Sequence, residues 1–177
     1  MIVSYAPPMV GASQHTHFVA VFPSRDIRSI PSFVFSVPTG WILDEVPHTV
    51  TAVRLPEAVD GFWVNVLMTH DLVARSVDLE QAAIATLARV KQQCASLTLG
   101  TEKFARFGTR VCYLRSLEVV KQAGEAPLAQ VHALFFGPVE GGGKVVDLFH
   151  LVGTCKADQL EQYGPAMVEI IASFRFT

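Results

Sequence analysis

The segment from Gly61 to Thr69 reads Gly-Phe-Trp-Val-Asn-Val-Leu-Met-Thr, and it has the clearest strand pattern in the chain. Successive side chains of an extended chain point to opposite faces. One face carries Phe62, Val64, Val66 and Met68, and the other carries Trp63, Asn65, Leu67 and Thr69. This alternation predicts a β-strand, and apolar side chains stand on both of its faces.

Further strands are predicted where apolar and β-branched residues alternate or cluster between Gly and Pro breaks. These segments are 33–37, 49–55, 109–119, 128–136 and 144–153, with short strands also expected at 17–22 and 173–176. The connections that contain Gly124 and Pro127, and then Gly141-Gly142-Gly143, are short. Short connections favour hairpins, and therefore antiparallel pairing.

Two helices are predicted, each from a cap and an apolar stripe. Asp78 is the expected N-cap of the first helix, and Gln81 three residues later completes a capping box. A second helix is expected to begin near Asp158, with Glu161 completing another box. We expect Gly164-Pro165 to bend this helix or to delay its start.

The order of elements predicts an α+β domain built on a central antiparallel β-sheet. The sheet is expected to contain six to seven strands flanked by two main helices. Residues 1–30 are predicted to be an irregular segment with a short strand, and residues 31–177 to form a single domain. The chain of 177 residues is long enough for one substantial core.

Composition excludes several functional classes. Half of the residues are hydrophobic, 17% are charged and the net charge is -2. No basic stripe of the kind that neutralises nucleic-acid phosphates is present, so no nucleic-acid partner is expected. No apolar run approaches the roughly 18 residues that a transmembrane helix needs.

The N-terminus resembles neither a secretory signal nor a lipid-attachment site, so we expect a cytoplasmic protein, or an envelope-associated one if a leader was removed.

Three features that suggest chemistry have simpler explanations. Gly141-Gly142-Gly143-Lys144 resembles a phosphate-binding loop, but Pro138 and Val145 occupy positions that require Gly and Ser or Thr, and a strand follows. The six histidines lack neighbouring carboxylates or cysteines at ligand spacing, so no metal and no cofactor are expected. His70-Asp71 resembles half of an acid–base pair, although adjacent strand residues point to opposite faces.

The cysteines Cys94, Cys112 and Cys155 are odd in number and widely spaced. Free thiols in a reducing compartment are the expected state. A bridge between Cys112 and Cys155 remains open at this point, because both lie in predicted strands.

Aromatic and aliphatic side chains on the predicted strands exceed what two helices can cover. Most of them are expected to pack in the core. The remainder would line an apolar pocket or groove. The sequence predicts four residues as its lining: Trp41, Phe62, Trp63 and Phe135.

Three segments in order also support a family resemblance. They are Phe33–Trp41, of the form F-x-F-x-V-P-x-G-W; Val64–Asp71, followed by the capped helix; and Ile170–Phe176. This order resembles the LpqN-type proteins of mycobacteria and related actinobacteria and, more broadly, the PsbP-like α/β/α sandwich superfamily. It covers about residues 30–177. The resemblance implies an antiparallel sheet flanked by helices and non-enzymatic roles, such as envelope lipid binding or adaptor and assembly functions.

Three functional hypotheses follow. The leading one is a non-enzymatic binding or adaptor module that holds an apolar, lipid-like small molecule or an apolar segment of a partner protein. The second is a structural subunit or assembly factor that forms a homodimer through an apolar sheet face. The third is an enzyme that uses His70, Asp71 or His150, which requires these groups to meet in one cleft.

Overall fold

The computed structural model describes residues 29–139 and 142–177. Its main feature is a seven-stranded antiparallel sheet. The strands are β2 (Ile42–Asp44), β3 (Thr51–Arg54), β4 (Asn65–Ala74), β5 (Ser96–Phe107), β6 (Arg110–Val120), β7 (Leu128–Phe136) and β8 (Val145–Lys156). They lie in the order β2-β3-β4-β8-β7-β6-β5.

A second, two-stranded sheet joins the two ends of the described chain. Strand β1 (Phe33–Val34) pairs antiparallel with β9 (Arg175–Phe176). Two hydrogen bonds extend the contact: the Thr177 amide donates to the Ser32 carbonyl, and the Ser36 amide donates to the Ser173 hydroxyl. The small sheet brings several phenylalanines together over one face of the main sheet.

Two helices of 14 residues each, α1 (Leu79–Gln92) and α2 (Leu160–Ser173), cover opposite faces of the main sheet. Helix α1 packs on β6 and β7, whereas α2 packs on β8, β7 and β4. The core under α2 is the larger one and includes Val66, Phe135, Phe149 and Met167. The α2 face is therefore covered by a helix and by the aromatic end sheet, while α1 leaves the N-terminal half of β4 and the C-terminal half of β8 open.

Glycine at position 153 allows α2 to approach β8 closely. A Cβ atom built on Gly153 would lie 2.9 Å from both the Cβ and the Sδ atoms of Met167. Real Cβ atoms do not approach other atoms so closely, so a side chain here would displace the helix or Met167. The contact fixes the height of α2 above the sheet.

The predicted fold class is confirmed: the domain is α+β, with an antiparallel sheet of seven strands and two flanking helices. The predicted cap of α1 is also confirmed, since Asp78 accepts from the Gln81 amide at 2.7 Å and Gln81 Oε1 accepts from the Asp78 amide at 3.1 Å. All three cysteines are free thiols. The predicted strand at 17–22 lies outside the described residues.

Four local expectations were wrong. The second capping box is absent: a 3₁₀ turn at Ala157–Gln159 precedes α2, its N-cap Gln159 makes no side-chain capping bond, and the helix runs through Pro165. The predicted strand 33–37 is regular only at Phe33–Val34. Strands β2 and β5 were not predicted. The strand expected at 173–176 is regular only at Arg175–Phe176 and pairs with β1, outside the main sheet. In the described part of the chain, no helix is long and apolar enough to cross a membrane.

Candidate functional site

The uncovered part of the α1 face forms a groove of about 470 Å³. Its floor consists of β4, β8 and β7, and its walls are the C-terminal end of α1, the end of β6 and the residues just before β4. The lining residues, here called the α1 groove, are Gly61, Phe62, Trp63, Asn65, Leu67, Thr69, Val90, Gln93, Cys94, Val119, Lys121, Gln130, His132, His150, Val152 and Thr154. The set combines apolar walls with a polar floor, which is typical of small-molecule sites.

A tight turn before β4 builds the aromatic wall. Val59 and Phe62 exchange two backbone hydrogen bonds across Asp60 and Gly61, both of which have positive φ angles (49° and 76°). Glycine adopts this conformation without steric cost, and aspartate tolerates it better than most residues. The turn is held against the end of β8, because the Asp60 carbonyl accepts a hydrogen bond of 2.7 Å from Lys156 Nζ.

Trp63 stands at the edge of the groove as a supported aromatic platform. The Arg54 guanidinium lies 4.2 Å from the centre of the Trp63 ring and forms an ion pair with Asp44. A cation over an indole face is attracted by the ring quadrupole, so the pair holds the ring in position. The indole is nevertheless 44% exposed. A second concavity of about 410 Å³ over β3 shares Trp63, Asn65 and Leu67 with the groove.

A pair of histidines occupies the polar floor. His132 Nδ1 and His150 Nε2 are 2.9 Å apart, and His132 Nε2 is 3.0 Å from Gln130 Oε1. Because a carboxamide oxygen only accepts, His132 Nε2 donates to Gln130, and His132 Nδ1 then accepts from His150 Nε2. The Gln130 amide continues the chain to the Thr154 hydroxyl at 3.5 Å. This pattern requires a neutral His132 and places a proton on Nε2 of both rings.

Burial keeps both histidines neutral. Desolvation, followed by the positive charges of Arg115 and Arg89, lowers the pKa of His150 to about 3. Desolvation, His150 and Arg115 likewise hold the pKa of His132 well below its usual range. Loss of solvent disfavours the charged form of a base, and neighbouring cations add to this effect. At neutral pH the floor therefore offers hydrogen-bonding groups without carrying charge on the imidazoles.

Arg115 lies beside this pair, under α1. It is the cross-strand partner of His132 and is only 2% exposed. Its guanidinium donates to the Ala83 carbonyl at 2.7 Å and to the Thr86 hydroxyl at 2.9 Å, while its Nε has no hydrogen-bond partner in the described structure. Burial lowers the pKa of Arg115, and the charge of Glu102 opposes that shift. The nearest hydrogen-bond acceptors of this buried cation are therefore neutral.

The four residues predicted as ligand lining divide into two pairs. Phe62 and Trp63 line the α1 groove. Phe135 is fully buried among aromatic rings of the α2 face, and Trp41 packs against that same core. The structure thus brings together two of the four residues, and the binding role assigned to them stays a prediction.

Sequence reasoning missed the polar floor of the groove. In the sequence, His132 was considered only as one of six histidines, and His150 was named only in the enzyme hypothesis. The signal that could have joined them is their register: Leu134 pairs with His150 and His132 pairs with Val152, which makes the two histidines diagonal neighbours on one face.

The residues of the enzyme hypothesis do not share a cleft. His70 Nε2 lies 2.9 Å from Asp147 Oδ1, and its ring packs against Phe149 on the α2 face. His150 lines the groove on the α1 face. Asp71 also faces α1, where it pairs with Arg89 at 3.3 Å in an exposed position. The sheet therefore separates His70 from the other two groups.

Two further features are less suited to be the site. A concavity of about 1010 Å³ adjoins the β2–β3 hairpin, but a single continuous stretch, residues 43–51, lines it. A binding site more often brings side chains from several elements together. No group of three or more His, Cys, Asp or Glu residues in the described part of the chain is placed to hold a metal ion.

Comparison with known proteins gives the fold a context. The first similar structure is LpqN, involved in cell envelope biogenesis of Mycobacterium tuberculosis, with a TM-score of 0.65, 13% identity and 84% of each chain covered. A cyanobacterial PsbP from Synechocystis follows at TM-score 0.55 and 14% identity, covering 84% of this chain and 95% of that protein. The chain has the fold of LpqN and PsbP.

Further comparisons stay at the level of fold. A Pseudomonas aeruginosa protein of unknown function, described as a putative regulator, is similar at TM-score 0.51 and 10% identity over 75% of this chain and 94% of that protein. No protein-family model and no curated protein sequence matches the chain. The predicted resemblance is therefore confirmed as a structural similarity.

Proposed function

We propose that the protein is a non-enzymatic binding module that holds a lipid-like small molecule in the α1 groove. The observation that carries the proposal is the unequal cover of the two sheet faces. Helix α2 and the aromatic end sheet cover one face, whereas on the other face α1 packs mainly on β6 and β7 and leaves the N-terminal half of β4 and the C-terminal half of β8 lining the groove. A folded domain gains about 25 cal/mol for each Å² of apolar surface that it removes from water, so an uncovered sheet face suggests a bound partner.

The form of the groove favours a small molecule over a peptide segment. Its volume, about 470 Å³, lies in the range of small-molecule sites. A peptide would either add a strand to a sheet edge or lay a helix in a long apolar channel. The groove lies over central strands, and its floor is a hydrogen-bonded chain of side chains from Gln130 to His150. This arrangement suits a compact ligand with both apolar and polar parts.

The same proposal extends to ancestry. The shared fold, together with the ordered segments at 33–41, 64–71 and 170–176, supports membership of the chain in the LpqN-type family. An apolar segment of a partner protein and self-association remain the competing occupants of the uncovered face, and the experiment below separates them from a small molecule.

Cys94 provides a direct test of the groove. It lines the groove and is partly exposed, whereas Cys112 and Cys155 are 0% exposed. In the native protein, a thiol-alkylating reagent should therefore modify Cys94 alone, which mass spectrometry would show. We expect a ten-carbon amphiphile, used below its micelle concentration, to slow this alkylation in a saturable manner. We also expect alkylation with a bulky reagent to abolish binding of the amphiphile.

A matched control moves the thiol to the other side of α1. Ile84 is 64% exposed on the solvent side of the helix. In the double variant Cys94→Ala, Ile84→Cys, the new thiol should react at the same rate with and without amphiphile. If the amphiphile protects Cys94 of the unaltered protein and the thiol at position 84 of the variant equally, it coats the protein nonspecifically. Self-association would be favoured if no amphiphile protects Cys94 and if light scattering shows that the molar mass rises to twice that of the monomer as the protein concentration increases.

A further inference from the structure

We propose that the ligand of the α1 groove carries a carboxylate head group, an inference that rests on the function proposed above. The groove combines donors with positive charge, and this combination selects one class of amphiphile from those that an apolar groove admits.

The residues that line the groove include one cation and no carboxylate. The cation is Lys121. Beside the floor, under α1, the buried guanidinium of Arg115 hydrogen-bonds to neutral oxygens. Arg89 is paired with Asp71 in solvent. Glu102 is the carboxylate whose charge acts on Arg115. It accepts a hydrogen bond from Tyr113 and lies on β5, which β6 separates from the floor strands. A negative head group in the groove would meet cations without a facing carboxylate.

The polar groups of the floor are also available to a ligand oxygen. The Gln130 amide reaches Thr154 at 3.5 Å, and the Thr69 hydroxyl reaches the His150 carbonyl at 3.4 Å. Bonds of this length are at the limit of hydrogen bonding and are weak. The Thr69 hydroxyl can turn towards a closer acceptor, whereas the Gln130 carboxamide, held by His132, offers a ligand the N–H that now makes the long bond. Hydrogen bonds to a charged acceptor are about twice as strong as those between neutral groups, so a carboxylate would gain most from them.

The head group is a monoanion for a physical reason. Lys121 is the one charged lining residue, and Arg115 lies beside the floor under α1 without lining the groove. A phosphate monoester carries about two charges at neutral pH, and its burial requires more donors and more positive charge than this groove provides. A carboxylate carries one charge and matches the donors present. Its apolar tail would then lie against Phe62, Trp63 and Val90.

The test compares three amphiphiles with the same tail: decanoate, decanol and decylamine, at pH 7.5 and below their micelle concentrations. Protection of Cys94 from alkylation and calorimetric titration measure the affinity. We expect decanoate to bind about tenfold more tightly than decanol, because a charge-assisted hydrogen bond contributes a free energy of that size. Decylamine should bind most weakly. Decanol or decylamine binding as tightly as decanoate overturns the carboxylate assignment and leaves the proposed function intact. Failure of all three to bind overturns the proposed function and the inference together.

Variants of Lys121 test the source of the preference. Lys121 is exposed at the rim, so its substitution should not affect folding. Lys121→Gln should reduce the decanoate-to-decanol affinity ratio by several-fold, Lys121→Arg should retain it, and Lys121→Glu should invert it. Lys103→Gln removes a cation from the exposed strand β5, outside the groove, and should leave the ratio unchanged. An equal loss of preference in Lys103→Gln and Lys121→Gln would mean that net charge, and not the groove, sets it.

Discussion

Phe33 and Phe176 are Cα partners in the small antiparallel sheet that joins the beginning of the described chain to its end. Their rings enter one aromatic cluster: Phe33 stacks on Phe174 at 5.0 Å, and Phe176 meets Phe149 edge-on at 5.1 Å. In the sequence, the F-x-F opening at 33–35 and the Phe-Arg-Phe at 174–176 belong to two separate segments of the family resemblance. The structure shows that they are two halves of a single contact, which covers the α2 face beyond the helix.

Asp78 should stabilise the protein through its capping box. Asp78→Ala removes the side chain that accepts from the Gln81 amide, and we expect it to lower the free energy of unfolding by about 1 kcal/mol. Asp158→Ala is the matched control, because the sequence predicted a box there and the structure shows none. Urea titration of both variants measures the difference. Equal losses would contradict the assignment of the two caps.

Met167 and Gly153 should be coupled in stability. Gly153→Ala places a methyl group within 2.9 Å of Met167, and overpacking of this kind costs about 1–3 kcal/mol. Gly142→Ala is the control, because a Cβ there meets no atom within 4 Å. Met167→Ala alone leaves a cavity, and the double variant should cost less than the sum of the two single ones. Additive losses in thermal unfolding would show that the close approach is not the cause.

The strands that sequence reasoning found are rich in apolar and β-branched residues and are bounded by Gly or Pro. Strand β4 was predicted at 61–69; in the structure it begins at Asn65, where half-buried and buried positions alternate up to Met68, and it continues to Ala74. Strand β5 lies at the edge of the sheet, and most of its side chains are exposed on both faces, so its sequence has no alternation to read. Its partners are also shifted by an irregularity between Leu99 and Glu102, which interrupts the pattern further. Strand β2, with three residues, is too short to leave a pattern.

The groove could be predicted only in part, because it depends on how far a helix extends across a sheet. The apolar stripe of α1, from Leu79 to Val90, predicted that the helix packs on a sheet. It contained no information on which strands the helix covers. Phe62 and Trp63 were named because they are aromatic residues on a predicted strand. The His132–His150 contact requires the register of β7 against β8, which local sequence does not determine.

Thr86 should hold α1 on the sheet through Arg115. Thr86→Val removes the hydroxyl that accepts from the Arg115 guanidinium at 2.9 Å and leaves a charged donor buried without that partner. We expect the free energy of unfolding to fall by about 1–3 kcal/mol. Valine and threonine have similar helix propensities, so propensity does not account for such a loss.

Thr86→Ser is the matched control for this contact, since it keeps the hydroxyl and removes only the methyl group. It should lose less stability than Thr86→Val in chemical denaturation. If serine costs as much as valine, the methyl packing of Thr86 and not its hydroxyl holds the helix.

The histidine pair should make the protein sensitive to mild acid. In the folded state the pKa of His150 is lowered to about 3 and that of His132 lies well below its usual range, whereas unfolded histidines titrate near 6.5. The unfolded state therefore binds more protons below about pH 6.5. Stability from the pair is complete above that pH and is lost progressively as the pH falls towards 3, by up to about 1.4 kcal/mol per pH unit for each histidine.

Urea titrations between pH 7 and pH 5 measure this slope. The variant His132→Gln, His150→Gln should have a much smaller slope in that window, because glutamine does not titrate. Ring NMR signals of the unaltered protein, recorded at pH 5, provide a second measurement that does not depend on whether the variant folds. They should show two neutral imidazoles, with the proton of His132 on Nε2, where it bonds to Gln130. Two imidazolium rings at pH 5 in the folded protein would contradict the prediction, since a charged pair 2.9 Å apart could not share the single hydrogen bond that joins them.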